Sequence, residues 1–171
     1  MATQRAEPGL QAGEREMLTG WLDYHRATLA WKCEGLTDDQ LRERSVPPSG
    51  LSLLGLVQHM TENERGWFRR RLLGEDLPPL YYSDEDPDGD FNDTGSADGA
   101  TVLRTWEQAC DAAREAVASV DDLDAPSKKA DGQTGEPFSL RWILTHMIEE
   151  YARHNGHADL LRERIDGVTG D

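Results

Sequence analysis

The chain has 171 residues, 37% of them hydrophobic and 30% charged, enough at this length for one compact core. Asp and Glu number 33 against 18 Lys and Arg, a formal charge of −15. This excludes a nucleic-acid binder, which needs a basic face for phosphates, and disfavours docking on an anionic membrane.

Residues 1–13 read as a flexible lead-in and residues 14–171 as the folded domain. A first helix is predicted from about Glu14 to Gly35, with Met17, Leu18, Trp21, Leu22, Leu29 and Trp31 on one apolar face. Thr37 and Gln40 stand at capping-box spacing for a short helical turn, which Pro47-Pro48 cannot prolong. A second helix runs from about Ser52 to Leu73. Leu53, Leu56, Val57, Met60, Trp67 and Phe68 give its apolar face, and Arg69-Arg70-Arg71 read as a solvated end favoured by the helix dipole. Glu75 to about Ser96 is a long acidic loop, expected to be a lid, a brace or disordered. Its Asp84–Gly89 stretch begins like a calcium loop, but Gly95 stands where that loop needs a glutamate.

A third helix is predicted from about Ala97 to Val120, where Val102, Leu103, Trp106, Ala109, Cys110, Ala113 and Val117 recur at three and four. A loop from Asp121 to Phe138 follows. A fourth helix opens at Ser139, a good N-cap, and runs to about Ile165. Period-two alternation is absent, so no strand is expected. The expected class is all-α, a four-helix bundle. Cys33 and Cys110 form no CxxC, which excludes a disulfide framework and a thiol-rich metal site. The absence of a secretory h-region and of a membrane-length apolar run predicts a cytoplasmic protein with reduced thiols.

Three of the five histidines, His146, His154 and His157, lie on the fourth helix. At about 100° per residue, Leu140, Ile143, Leu144, Met147, Tyr151, Ala158, Leu161 and Ile165 form its buried stripe, with His154 on the centre line. Glu150 falls about 40° from His154 and one turn earlier, His157 about 60° and His146 about 80° away, while Glu149 points outward. A carboxylate and an imidazole on a buried face are either a structural i,i+4 pair or two ligands of one divalent ion, which would neutralise both. His59 flanks the stripe of the second helix and is placed to give a third ligand, with Asn63 and the small Gly66 following it. His25, on an apolar face of the first helix, is a weaker candidate.

The segments SGLSLLGLVQHMTENERGWF (Ser49–Phe68), SLRWILTHMIEEYARHNGHADLLRERIDGVTG (Ser139–Gly170) and EGLTDDQLRERSVPPSG (Glu34–Gly50) resemble the small DinB-like proteins. The closer likeness is to their actinobacterial branch. The resemblance covers the chain from about Glu14 and implies a DinB/YfiT-like bundle with a metal between the second and fourth helices. Most of that family uses three histidines. Glu150 stands at the first position of the helical pair, which resembles the N-terminal bundle of mycothiol-dependent maleylpyruvate isomerases, where zinc is held by His, Glu and His. The resemblance thus implies His59, Glu150 and His154 as ligands, with His146 as the alternate. Those isomerases have a second domain that this length does not accommodate, so maleylpyruvate is not implied as substrate.

Two imidazoles and one carboxylate leave coordination positions open, as in catalytic zinc sites, and also suit Ni, Fe or Mn. Such an ion deprotonates a bound thiol. The resemblance implies thiol S-transfer, so the expected function is a metal-dependent thiol S-transferase using mycothiol or a similar low-molecular-weight thiol as cosubstrate. Its partners would be that thiol and an electrophile, with no nucleic acid and no membrane, and the chain is expected to be a homodimer. His157, Glu62 and Asn63 are candidates for groups supporting the ligands or handling protons. Cys110, on an apolar stripe, is not expected to be the nucleophile. Two alternatives compete. One is a hydrolase using metal-bound hydroxide with Glu62 as base. The other is a non-enzymatic bundle stapled by its metal, acting by dimerisation or partner binding through its tryptophans.

Overall fold

The computed structural model describes residues 5–92, 94–95 and 98–170. Ser96 and Ala97, where the acidic loop was expected to end and the third helix to begin, lie outside the described residues, as do residues 1–4 of the lead-in and residue 171. Among the described residues the chain is mostly helical, with six helices and one small two-stranded sheet.

Helix α1 spans Glu14–Cys33 and follows the dipole rule, with Glu14 and Glu16 in its first turn and Lys32 in its last. Helix α2, Asp38–Arg42, carries the capping box: Thr37 accepts from the Gln40 backbone, and the Gln40 side chain accepts from the Thr37 N–H. Helix α3, Leu53–Glu64, starts where Ser52 Oγ accepts from Gly55 N. It continues without a break into a π-helical run, Arg65–Leu72, whose last bonds reach back five residues, as from Leu73 N to Phe68 O. Helix α5 spans Gly99–Ala118, with Asp98 as N-cap. Helix α6, Leu140–Asp166, is capped by Ser139 and ends at Gly167 in the left-handed conformation (φ 78°).

Two expectations are corrected. The loop after the second helix contains a short helix, α4, at Gly89–Asn92. The region from Asp121 to Phe138 contains an antiparallel hairpin, β1 Pro126–Ala130 and β2 Pro137–Ser139. This sheet arises from turn chemistry, not from an alternating pattern. Asp131 Oδ1 accepts from Gln133 N and Thr134 N, Gly135 takes a positive φ of 73°, and Asp131 N closes the turn on Glu136 O. Ser127 Oγ then ties the strands by accepting from Phe138 N.

Helix α1 packs along α6, and α3 lies between α5 and α6. Leu22, Leu29, Leu53, Leu56, Met60, Phe68, Trp106, Ile143, Leu144 and Tyr151 fill the interior. Through that core runs a polar network. The Arg26 guanidinium of α1 grips the Glu64 carboxylate of α3 in a two-pronged pair at 2.8 and 2.7 Å. Tyr151 Oη of α6 donates to Glu64 Oε1 at 2.7 Å, and Trp106 Nε1 of α5 donates to Tyr151 Oη at 2.9 Å. One carboxylate thus bonds groups from two other helices, with a third attached through Tyr151. No helix of the described residues is long and apolar enough to cross a membrane.

Candidate functional site

The stripe of α6 buries Leu140, Ile143, Leu144, Met147, Tyr151, His154, Ala158 and Leu161, so the helical phase brings His154 inside while Ile165 is only half-buried. His59 of α3 faces it. The structure brings His59, Glu150 and His154 together: each offers one ligand atom, all within 4.8 Å of one another. His59 Nε2 lies 3.8 Å and His154 Nε2 3.5 Å from Glu150 Oε2. Ligands about 2 Å from a tetrahedral zinc stand about 3.3 Å apart, so this donor set fits such an ion with small adjustments.

The hydrogen-bond partners of the two histidines favour the same reading. His59 Nδ1 lies 2.7 Å from Asp90 Oδ2. A carboxylate accepts, so Nδ1 carries the proton and Nε2 keeps its lone pair. That lone pair now accepts from Asn63 Nδ2 at 2.9 Å, on the side where Glu150 lies. His154 is held neutral, its pKa pushed down to about 4 by burial first, then by His59, His157 and Arg153. Its Nδ1 lies 3.4 Å from His157 Nδ1, so a proton carried there leaves His154 Nε2 facing Glu150 as an acceptor.

Asp90 is the residue that the sequence reading missed. It belongs to α4, inside the acidic loop, and is buried. The adjacent Phe91 stacks on the His59 ring at 4.5 Å. Gly55 of α3 lies against the Phe91 backbone, where a Cβ would stand 3.4 Å away in van der Waals contact. The loop is therefore a brace that orients a histidine. Asp90→Asn keeps the shape but withdraws the charge behind His59. We expect it to weaken zinc affinity by about 10–100-fold, read by competition with a chromogenic chelator; unchanged affinity would remove Asp90 from this role.

The remaining candidates fall as follows. His146 Nε2 is 3.6 Å from Glu150 Oε1, but its group includes Glu149 rather than His59, and its ring stacks on Trp142 at 4.9 Å. Glu149 is exposed and paired with Arg153, which lowers its pKa. Glu62 is buried and occupied on both oxygens: Oε1 accepts from the backbone of Leu80 and Tyr81, and Oε2 from Arg70 Nη2. This leaves it poorly placed as the free base that hydrolysis would need. His25 lies apart, with Asn155 Nδ2 bonded to its carbonyl at 3.0 Å. Both cysteines are free and buried; burial pushes Cys33 up to about 12 and Cys110 also well up, so neither offers a ready thiolate.

His59, Asn63, Asp90 and Glu150 line a cleft of about 330 Å³ together with Trp67, Arg70 and Arg71. The volume suits a small molecule. A search of curated proteins finds no match to the chain. A family model described as mycothiol-S-transferase matches residues 17–167.

Proposed function

We propose that this chain, which belongs to the mycothiol-S-transferase family, is a metal-dependent enzyme that transfers the mycothiol sulfur to an electrophile. In this reading residues 14–171 form a DinB-like four-helix bundle, and His59, Glu150 and His154 hold a divalent ion, zinc before nickel, iron or manganese. The observation that carries the proposal is the convergence of those three side chains from two helices, α3 and α6, beside a cleft open to a small molecule.

An ion in that position supplies ionisation of a thiol that reaches it. Around it, Asp90 accepts from His59 Nδ1 and so leaves Nε2, now bonded by Asn63, as the ligand atom, while burial favours the neutral form of His154. Since Cys33 and Cys110 are held protonated in the interior, the sulfur nucleophile comes from outside the chain. The family description supports mycothiol in that role.

The test uses 1-chloro-2,4-dinitrobenzene as a general acceptor. The mycothiol sulfur forms a bond to the chlorine-bearing carbon, chloride leaves with the bonding pair, and the thiol proton passes to buffer. A thiol of ordinary pKa is only a few per cent ionised at pH 7, so losing its activation should cost on the order of tenfold in rate. Chelator-stripped protein is expected to show that loss, and added zinc to restore the rate. A rate unaffected by chelation would overturn metal dependence. No transfer above the uncatalysed background with this acceptor or a panel of epoxides and enones would overturn the transferase reading.

A further inference from the structure

The end of the second long helix is not a solvated terminus. Arg69, Arg70 and Arg71 are all half-buried. Arg69 pairs with Glu75, and Arg70 pairs with Glu62 and donates to Tyr82 Oη. Arg71 differs: among the described residues no hydrogen bond or ion pair engages its guanidinium. It lies over the Trp67 ring, 4.4 Å from the centroid. Trp67 in turn packs edge-on against His146 at 4.6 Å, and His146 contacts Glu150. Arg71 therefore shares one cleft with His59 and Glu150, two of the three metal-binding candidates.

The π-helical run explains how Arg71 gets there. In straight α-helical phase, twelve residues place it about 120° from His59. A turn closed over five residues advances each residue by less, and this swings Arg71 back toward the His59 side. Both guanidinium groups lie beside Gly66, where a Cβ would stand 3.2 Å from Arg70 Nη2 and 3.7 Å from Arg71 Nη1.

An unpaired guanidinium in a half-buried cleft is costly. Burial and the neighbouring Arg70 both work against its charge, with smaller help from Tyr82 and Asp131. An anion is the ligand that relieves this cost. The contact with the Trp67 ring holds the guanidinium in the cleft, and its planar fork of donors matches a carboxylate. We infer that Arg71 is a specificity residue that receives a carboxylate group carried by the electrophilic cosubstrate, so that the preferred acceptors are small organic acids. The thiol is not the source of this anion, since mycothiol carries amides and sugar hydroxyls but no carboxylate. The inference rests on the transferase reading for the word cosubstrate, and on the cleft alone for the carboxylate.

The experiment compares 4-chloro-3-nitrobenzoate with its neutral isostere, 4-chloro-3-nitrobenzamide, by isothermal titration of zinc-loaded protein without thiol. The native protein should bind the carboxylate roughly tenfold more tightly than the amide. Arg71→Gln should erase that preference and leave amide binding unchanged. Arg71→Lys keeps the charge but not the fork, and should keep only part of it. Equal binding of the two compounds by the native protein would overturn the inference. So would a full preference in Arg71→Gln, which would place the carboxylate elsewhere in the cleft, on the metal for instance. If Arg71→Gln proves unfolded by circular dichroism, the lysine variant decides, and full retention of the preference overturns the inference. Because thiol is absent, loss of S-transfer with the binding preference intact would count against the proposed function and not against Arg71.

Discussion

Replacing His154 with alanine abolishes tight zinc binding while the helical fold survives. His154 is 8% exposed and central on the buried stripe, and its Nε2 is the donor that completes the group with His59 and Glu150. The rest of that stripe is apolar and unaltered by the change. Losing a direct ligand should cost more than the roughly 100-fold upper range for a group behind a ligand. Truncating a side chain this well buried leaves a cavity in the stripe, so a destabilisation of about 1–3 kcal/mol accompanies the loss. Zinc at a hundred times its dissociation constant should add about 2.7 kcal/mol to the native protein and nothing to the variant. Chelator competition and thermal unfolding with and without zinc read both effects. His146→Ala is the control, expected to retain zinc because His146 meets the other oxygen of Glu150. Full zinc occupancy in His154→Ala would end the ligand assignment. Loss in His146→Ala with retention in His154→Ala would replace it with His59, His146 and Glu150.

Glu64→Ala has the largest expected effect on stability. Its carboxylate is fully buried, and the change leaves Arg26, 4% exposed, without its two-pronged partner, and the Tyr151 hydroxyl without its acceptor. Breaking one side of a buried ion pair costs about 3–5 kcal/mol. For a chain of this size that lowers Tm by roughly 6–20 °C. The double variant Arg26→Met, Glu64→Leu removes both charges and keeps much of the volume, so it should recover a large part of the loss. Thermal unfolding of the two single variants and the double gives the coupling directly. A Tm shift under 2 °C for Glu64→Ala, or a double variant as unstable as the sum of the singles, would contradict the network described for the core.

Much of the helical layout follows from short-range signals. Apolar spacing at three and four, the Thr37–Gln40 box and the Ser139 cap each act within one or two turns. The long helices accordingly lie close to the predicted bounds, with differences of a few residues where ends fray. Glu150 and His154 sit one turn apart on one helix, so their shared side is a matter of local phase. His59 on the opposing apolar stripe follows the same logic.

What sequence could not supply depends on partners far apart in the chain. Asp90 is one acid in a tract of many, and only the docking of α4 against α3 buries it behind His59. Arg26 and Glu64 are 38 residues apart, so no periodicity announces their pairing. Arg71 looks like a solvated end in α-helical phase, and the wider turn that redirects it depends on how the π-helical run packs against α5 and the hairpin. The hairpin itself is closed by Asp131 and Gly135 rather than by an apolar alternation. Helix phase and capping are local properties of adjacent residues. Burial of a charge and reorientation of a helix end are settled only when another element arrives to bear the cost of desolvation.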